Sequence, residues 1–408
     1  MDTMPSPGRA VAITGLGVVS PLGTSFAEVA DNLLAGRSGI REIAAAQGAR
    51  EARQFAGPVM SIPVPPAWDA DEFAALDRLE RLCLAPAAAA LADARLAGAV
   101  AADRIGLVLG VGAEQLKTWE LDFHAGGTRV FEPRRDEALV QRMARRLGIA
   151  GPAVTVAAAC ASSGYAIALG RAWLAAGRVD ACLVGGCDIL SPTAIAAFYN
   201  LRALSRRSDD PAKASRPFDR QRDGFVMAEG GAFLVLEREP ASRRRGGRVY
   251  GELAGVGMSS DAHHMVTPCT DPAQAARAIT LALADAGVGP AEVDYVNAHA
   301  AGTPVGDAAE AGAIRLAFGA AADGLPVSST KSMSGHLVSG AAAFEAVACL
   351  AAIHRQAVPP TVNLDDVDPA CVLDHVPHVA RPHRVAVAAS NSFGFGGANL
   401  CLVIREAA

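Results

Sequence analysis

One segment of the chain places a cysteine where a strand-like run gives way to a helix-like run. Residues 154–170, VTVAAACASSGYAIALG, pass from β-branched residues to Ala, Ser and Gly, with Cys160 at the junction. A helix start presents unpaired N–H groups and the positive end of the helix dipole, which favours thiolate over thiol. The pattern therefore predicts that Cys160 opens a helix as a nucleophile, although packing in a core is the commoner role of a free cysteine.

Two histidines and a lysine further along supply groups that acyl transfer would need. His299 ends a strand-like run, and Lys331 and His336 stand at the start of an Ala- and Gly-rich helix that also carries Glu345. A single histidine on an apolar face is more often a core residue than a catalytic one. Together with Cys160, however, these residues indicate a site for nucleophilic acyl transfer.

A glycine-rich turn completes the set of candidate segments. Residues 391–399, NSFGFGGAN, lie between two apolar strand-like runs. Such a turn can aim backbone N–H groups at a developing negative charge.

The elements that must position these residues occur twice in the same order. In the first half the patterns predict strands at residues 10–17, 104–112 and 181–186, a helix at 73–96 and a helix from Cys160. In the second half they predict strands at residues 249–257, 293–298, 385–390 and 400–404, a helix at 272–286 and a helix from His336 to about His354. Alternating strands and helices indicate a layered α/β architecture, with the Arg-rich residues 237–248 as the junction between halves.

Composition excludes several classes of protein. The 408 residues are 51% hydrophobic and 19% charged, enough for two domain-sized halves with a large core, and the net charge of −5 is against a globally basic nucleic-acid binder. The first residues lack a basic region followed by a long apolar stretch, so we expect a cytoplasmic protein.

Neither the long uncharged stretch of the chain nor its cysteines indicate a membrane span or a metal site. Residues 147–170 carry no charge, but Pro152 and the strand-to-helix switch favour a buried central element, so no membrane span is predicted. The eight cysteines show no CxxC spacing, which is against a disulfide framework and against a zinc site.

Four motifs, in order, resemble the β-ketoacyl-acyl-carrier-protein synthases of the elongating type. They are AITGLGVVSPLG at 12–23, KASRPFDRQRDGFVMAEGG at 213–231, GMSSDAHHM at 257–265 and SNSFGFGGAN at 390–399. The resemblance covers nearly the whole chain and implies a thiolase-like fold, with two pseudo-repeated halves in five α-β-α-β-α layers. It places the nucleophile in residues 1–245 and the two histidines in residues 246–408.

The resemblance also implies a reaction, a decarboxylative Claisen condensation that makes a 3-oxoacyl-carrier protein. Cys160 would take an acyl group from a carrier protein, with the N–H groups of Cys160 and Phe395 as the oxyanion hole. His299 and His336, both neutral, would bind the thioester oxygen of malonyl-carrier protein as it loses carbon dioxide. No metal and no diffusible cofactor is implied, because the pantetheine arm arrives on the carrier.

Supporting roles follow from the same resemblance. Lys331, paired with Glu345, would organise the charge around His336, unless the pair is only an internal salt bridge. Phe393 and Phe395 would lie beside the thiol, with Phe395 as a gate between the pantetheine tunnel and the acyl pocket.

The substrate-binding positions depart from the family pattern. Residues 300–304, AAGTP, keep only the second of two threonines that grip the pantetheine arm, Thr303, and Val266 replaces a small hydroxylic residue near His264. Ala113 stands where a larger aliphatic residue often borders the acyl pocket. Polar residues follow it at 114–117 and at 131–136; they either face solvent or mark a specialised enzyme for a polyene or polyketide chain.

Partners are implied as well. Arg202, Arg206 and Arg207 are the candidates for docking the acidic carrier protein, Arg202 above all, although an exposed arginine cluster is usually only a solvated face. The resemblance implies a homodimer, for which the apolar strand 181–187 is a candidate interface element, and a heterodimer is the alternative. Three rival functions are a silent subunit of the chain-length-factor kind, a degradative thiolase and a binding-only acyl carrier. Retention of the cysteine and both histidines is against all three.

Overall fold

The computed structural model describes residues 11–43, 54–127, 137–207, 209–238, 241–242 and 245–407. The strands of these ranges are β1 Val11–Val19, β2 Arg41–Ile43, β3 Gln54–Ala56, β4 Ile105–Gly110, β5 Ala153–Val156, β6 Ala181–Asp188, β7 Gly230–Arg238, β8 Gly251–Ser260, β9 Tyr295–Asn297, β10 Pro326–Ser328, β11 Ala357–Val358, β12 Asp374–His375, β13 Arg381–Pro382, β14 Val387–Gly394 and β15 Ala398–Arg405. The α-helices are α1 Phe26–Leu34, α2 Ala70–Ala75, α3 Arg78–Ala94, α4 Ala113–His124, α5 Leu139–Leu147, α6 Ser162–Ala175, α7 Pro192–Asn200, α8 Ala273–Ala286, α9 Pro304–Phe318, α10 Lys331–Ser334 and α11 Ala341–Arg355.

Two half-sheets with the same strand order join into one sheet. The order is β12-β10-β9-β14-β15-β8-β1-β7-β6-β4-β5. The two half-sheets meet where β1 pairs with β8, which we call the seam. Going outward from the seam, the next two strand pairs of each half are antiparallel and the remaining pairs are parallel. The seam itself is short, since Val11–Ile13 of β1 pair antiparallel with Gly251–Leu253 of β8. This repeat of order and direction is the pseudo-symmetry that the sequence predicts.

Helices fill three layers around the two half-sheets. The central layer is α6 and α11, which contact each other and strands of both half-sheets. On the outer faces, α3 packs on β1 and β7, whereas α8 packs on β8 and β15. Glycines let the outer helix come close: a Cβ at Gly17 would lie 1.9 Å from the carbonyl oxygen of Pro86 in α3. The five-layered arrangement is therefore present, while the boundary at residues 245 and 246 stays a prediction.

Two sequence predictions about this frame are wrong. The helix predicted at residues 73–96 is two helices, α2 and α3, because Leu76 is extended and the Asp77 side chain accepts a hydrogen bond from the Glu80 N–H as a new helix cap. The strand 181–187 cannot serve as an interface element, because β6 is buried and paired on both sides, by β7 and by β4. Among the described strands, the free edge of this half-sheet is β5, whose residues are all partly exposed.

One helical segment in the described ranges, Val338–Arg355, is long and apolar enough to span a membrane, and 83% of it is buried inside the protein. It contains α11 of the central layer, so its apolar surface is already covered by the two half-sheets. Residues 147–170, examined for the same property in the sequence, form β5 and the first part of α6 instead.

Candidate active site

Cys160 lies on a sharp turn between β5 and α6. The residue before it, Ala159, has φ 48°, a left-handed conformation that is costly for a residue with a Cβ. The Ser162 side chain holds the turn, since its Oγ accepts from the Ala158 N–H at 2.9 Å and donates to the Ala159 carbonyl at 2.6 Å. The helix begins at Ser162, so Cys160 precedes the helix that it was predicted to open.

Burial controls the ionisation of Cys160. The residue is 6% exposed, and burial raises the pKa of its thiol to about 12, against the opposing charge of Lys331 and a hydrogen bond from the Phe395 N–H. The helix-start argument predicts the opposite shift, but here the loss of solvent outweighs it. The resting enzyme therefore holds a protonated thiol at neutral pH, and the N–H group of Phe395 lies beside the sulfur.

His299 and His336 face each other near the thiol. Their ring centroids are 5.3 Å apart at 81°, and aromatic rings pack on both: Phe225 on His336 and Phe393 on His299. Burial, together with the charge of Lys331, lowers the pKa of both imidazoles well below the ordinary value. Both rings are therefore neutral at physiological pH, as predicted for groups that bind an enolate oxygen.

Lys331 and Glu345 form a buried ion pair behind the histidines. Their side chains are 2% and 1% exposed, and the Lys331 ammonium contacts the Glu345 carboxylate. The lysine Nζ lies 3.4 Å from Nδ1 of His299. The pairing agrees with the prediction, but the contacted histidine is His299, whereas the sequence argument assigned Lys331 to His336.

Glu310 is a part of the site that the sequence argument missed. Its carboxylate accepts the N–H of His299 at 2.8 Å, the N–H of Ala300 at 2.6 Å and the side-chain amide of Asn391 at 3.0 Å. Burial raises the pKa of Glu310 to about 7. The available signal was spacing, because Glu310 and Asp307 are three residues apart on α9 and so share the helix face toward His299.

Asp307 fixes the loop that follows His299. Its carboxylate accepts the N–H groups of Gly302 and Thr303, each at 3.1 Å, and that of Phe218 at 2.9 Å. This loop carries the positions where the family's threonines would grip a pantetheine arm, so Asp307 sets the shape of that wall.

One cavity brings Cys160, His299 and His336 together. Its chemically important lining residues are Cys160, Phe225, Val266, His299, Ala301, Thr303, His336, Phe393 and Phe395. The lining is mostly apolar near the thiol. A buried nucleophile, two neutral imidazoles and a backbone N–H thus share one enclosed space, which is what acyl transfer to a thiol needs.

Of the predicted substrate residues, His264 lies outside the cavity and Ala113 is not tested. His264 is exposed and is not part of the cavity lining; its Nδ1 accepts the N–H groups of Val266 and Thr267 at 3.1 and 3.0 Å and so shapes the loop at the cavity mouth. Ala113 begins α4, and its side chain lies outside the described part of the structure. Residues 131–136 also lie outside the described residues.

The three docking candidates follow α7. Arg202 is exposed with φ 54°, and Arg206 stacks its guanidinium 5.4 Å from the ring centre of Tyr199. Arg207 donates to the side-chain oxygen of Gln221 at 2.9 Å. Their roles in docking stay predictions.

Three buried oxygen atoms near the site have no hydrogen-bond partner among the described residues. They are Asn297 Oδ1 at the end of β9 and Ser390 Oγ and Asn391 Oδ1 in β14. The described residues contain no group of three or more His, Cys, Asp or Glu side chains that could hold a metal ion.

The fold and the cavity define an acyl-transfer enzyme of thiolase-like architecture. Residues 8–241 match the family described as Beta-ketoacyl synthase, N-terminal domain, and residues 250–365 match the corresponding C-terminal domain. The chain belongs to the β-ketoacyl synthase family, as its sequence motifs predict.

Relatives and solved structures agree with this assignment. The chain is 39% identical to 3-oxoacyl-[acyl-carrier-protein] synthase 2 of Synechocystis, over 98% of each chain. It is 36% identical to the ketoacyl synthase alpha subunit of the tetracenomycin polyketide synthase of Streptomyces glaucescens, over 98% of this chain and 97% of the relative. The ishigamide ketosynthase/chain length factor matches with a TM-score of 0.87 and 33% identity, over 98% of this chain and 100% of that chain.

Proposed function

We propose that this enzyme condenses an acyl group, held on Cys160, with malonyl-acyl-carrier protein to give a 3-oxoacyl-carrier protein. The observation that carries the proposal is the meeting of Cys160, His299 and His336 in one enclosed cavity. Relatives that share this full length are named for both fatty acid and polyketide synthesis, so the reaction belongs to one of these pathways.

The first half-reaction is acyl transfer. The Cys160 sulfur attacks the thioester carbonyl, a new S–C bond forms, and the S–C bond to the pantetheine arm breaks. The thiol proton goes to the leaving pantetheine sulfur, with a neutral imidazole of His299 or His336 as carrier, because burial keeps the thiol protonated at rest. The N–H groups of Cys160 and Phe395 stabilise the oxyanion.

The second half-reaction starts with decarboxylation. The bond between the malonyl carboxylate and Cα breaks, carbon dioxide leaves, and the electron pair forms an enolate whose oxygen accepts hydrogen bonds from His299 and His336. The enolate carbon attacks the acyl carbonyl, a C–C bond forms, and the S–C bond to Cys160 breaks. The Cys160 thiolate then takes up a proton. During these steps the Lys331 ammonium stays beside His299, where the Glu345 carboxylate holds it.

We assign the binding of the pantetheine arm to Thr303 and the apolar wall around it. Ala301 is buried in an apolar cluster with Phe225 and Met227, and Val266 also lines the cavity. This wall offers fewer hydrogen bonds to the arm than the family pattern, while the pantetheine itself arrives on the carrier, so no separate cofactor is proposed.

Acyl-chain specificity is the finer question, and we favour a chain other than a plain saturated one. The polar residues after Ala113 motivate this choice, although Glu114 does not face the acyl end: its carboxylate accepts the Leu139 N–H at 2.8 Å and caps α5. Condensation rates on saturated and unsaturated chains of equal length test the idea. A clear preference for long saturated chains would contradict it.

We propose β5 as the subunit contact, in a homodimer or with a homologous partner subunit. Its outer edge has no strand neighbour among the described residues, and an unpaired edge is a ready template for pairing. One structural relative is a ketosynthase in complex with its chain length factor, with a TM-score of 0.80 and 29% identity over all of both chains. A silent subunit would have no use for the Cys160 site, so the active role is preferred. The protein is expected in the cytoplasm.

We also propose that an acyl-carrier protein docks at Arg202, Arg206 and Arg207. A related structure holds an acyl-carrier protein in complex with its ketosynthase, with a TM-score of 0.87 and 29% identity over 98% of this chain and 100% of that chain. Arg202→Glu should raise KM for acyl-carrier protein about tenfold with little change in kcat, because a rim charge acts mainly on association. Arg37→Glu, an exposed arginine elsewhere, is the control; an unchanged KM in the Arg202 variant would exclude docking there.

The decisive experiment is intact-protein mass spectrometry. The enzyme and a Cys160→Ala control are mixed with acyl-carrier proteins that differ in chain length and unsaturation. An acyl mass on the wild type alone supports the nucleophile and names the preferred chain. No mass shift with any donor would overturn the proposal of an independently active enzyme and favour a partner-dependent or silent subunit.

A further inference from the structure

A buried carboxylate at the end of β6 binds the loop that follows His336. Asp188 is 6% exposed, and its carboxylate accepts the N–H of Ile189 at 2.9 Å and the N–H of Ser339 at 3.1 Å. Asp188 is therefore tied mainly to a segment far away in sequence, three residues after His336.

The hydroxyl of Ser339 binds another segment of the chain. The Gly112 N–H donates to Ser339 Oγ at 2.9 Å. Gly112 directly precedes Ala113 and α4. Gly112, Ser339 and Asp188, which we call the relay, thus connect the loop after β4, the loop after His336 and the end of β6.

The loop held by this relay is strained. Val338, between His336 and Ser339, has φ 47°, which is a genuine outlier for a β-branched residue. Such a conformation persists only where its surroundings enforce it. The enforcing contacts lie on both sides: the His336 N–H donates to the Val226 carbonyl at 2.7 Å, and Ser339 is bound to Asp188.

We propose that Asp188 and Ser339 are positioning residues, which hold the strained turn so that His336 meets the enolate oxygen during decarboxylation. This inference rests on the proposed condensation. It predicts that loss of the relay harms the step that needs His336 more than the acylation of Cys160.

Asp188 has a second effect that a purely structural residue would not have. Its negative charge is close enough to Cys160 to raise the pKa of the thiol, as does that of Glu345, while Lys331 lowers it and the neutral His299 and His336 complete the groups around the sulfur. Removal of the Asp188 charge should therefore make Cys160 easier to ionise. A loosened fold alone would not change the thiol in this way.

The test uses Asp188→Asn and Ser339→Ala in the full-length enzyme. Release of carbon dioxide from malonyl-carrier protein measures decarboxylation, and mass spectrometry measures acyl transfer to Cys160. We expect Asp188→Asn to slow decarboxylation about ten- to a hundredfold and Ser339→Ala about fivefold, in line with hydrogen bonds to charged and neutral groups. Acyl transfer should change less than threefold in both.

Iodoacetamide labelling supplies the second readout. Asp188→Asn should be alkylated at Cys160 several-fold faster than the wild type at the same pH, whereas Ser339→Ala, which keeps the charge, should match the wild type. Labelling of the fully buried Cys187 would show that Asp188→Asn has unfolded locally. In that case the ratio of decarboxylation to acyl transfer in Ser339→Ala tests the inference by itself.

Matched controls come from the two strands next in the sheet, β7 and β1, beside the far end of β6. Glu237 lies opposite Ala181, is 1% exposed and accepts the Thr14 hydroxyl, so Glu237→Gln and Thr14→Val remove a buried charge and a buried hydroxyl away from the site. Equal losses in decarboxylation and acyl transfer in a folded Asp188→Asn would overturn the inference. A wild type that does not condense at all would instead refute the proposed function.

Discussion

Lys331→Met and Glu345→Gln each break the buried ion pair beside His299, and the double variant removes it. Because the two side chains are 2% and 1% exposed, the cost of an unpaired buried charge applies, about 3–5 kcal/mol for each single change. The double variant leaves no unpaired charge and should lie within about 2 kcal/mol of the wild type. The coupling free energy of the pair should then be at least about 4 kcal/mol.

The two single variants should differ in a defined direction. Burial already raises the pKa of Glu345 to about 7, against the charge of Lys331, so without the lysine this carboxyl can take up a proton, which moves the penalty toward the lower end of that range. Lys331→Met should therefore cost less than Glu345→Gln at neutral pH. The lower the pH, the smaller the loss in Lys331→Met should become.

Urea-induced unfolding followed by circular dichroism measures these changes, and carbon dioxide release measures activity. The double variant should regain stability but not decarboxylation, because the cation 3.4 Å from His299 Nδ1 is still missing. Additive losses in the double variant, about 6–10 kcal/mol, would refute the reasoning that an uncompensated buried charge dominates.

Two further predictions concern the loop around His299. Between pH 4.5 and 7 the folded enzyme holds a proton on Glu310 that the unfolded chain has released, so stability should fall as pH rises through this window. Glu310→Gln should flatten that fall, and an unchanged slope in urea titrations at several pH values would contradict the assignment. Ala301→Thr restores a hydroxyl to the cavity wall and should lower KM for carrier substrates about fivefold, the value of one hydrogen bond. Ala301→Val, with the same shape and no hydroxyl, is its control, and equal KM values in the two variants would exclude the bond.

The sequence was sufficient where function follows local pattern. Cys160 and His299 each stand where an apolar run ends, His336 stands before an Ala- and Gly-rich helix, and the fold gathers all three at one cavity. The repeated order of strands and helices likewise predicted the two half-sheets. Both signals are local or periodic patterns, so they can be read from one amino-acid sequence.

Other parts of the site depend on three-dimensional burial, which no local pattern displays. The helix-start argument for a Cys160 thiolate used only neighbouring residues, and the surroundings of the sulfur reverse its sign. Glu310 and Asp188 look like ordinary surface acids in sequence, and only packing makes them ligands of active-site backbone. The strand β6 was taken for an interface because continuous apolar runs also occur in strands buried on both faces.

The central layer of α6 and α11 makes the two halves of the chain depend on each other. The two halves repeat one strand order, yet Cys160 comes from the first and both histidines come from the second. Each half uses the other to cover its inner helix, so neither can be deleted or exchanged as a free unit. The catalytic groups are thus divided between two halves of similar strand order, and the chain can work only as a whole.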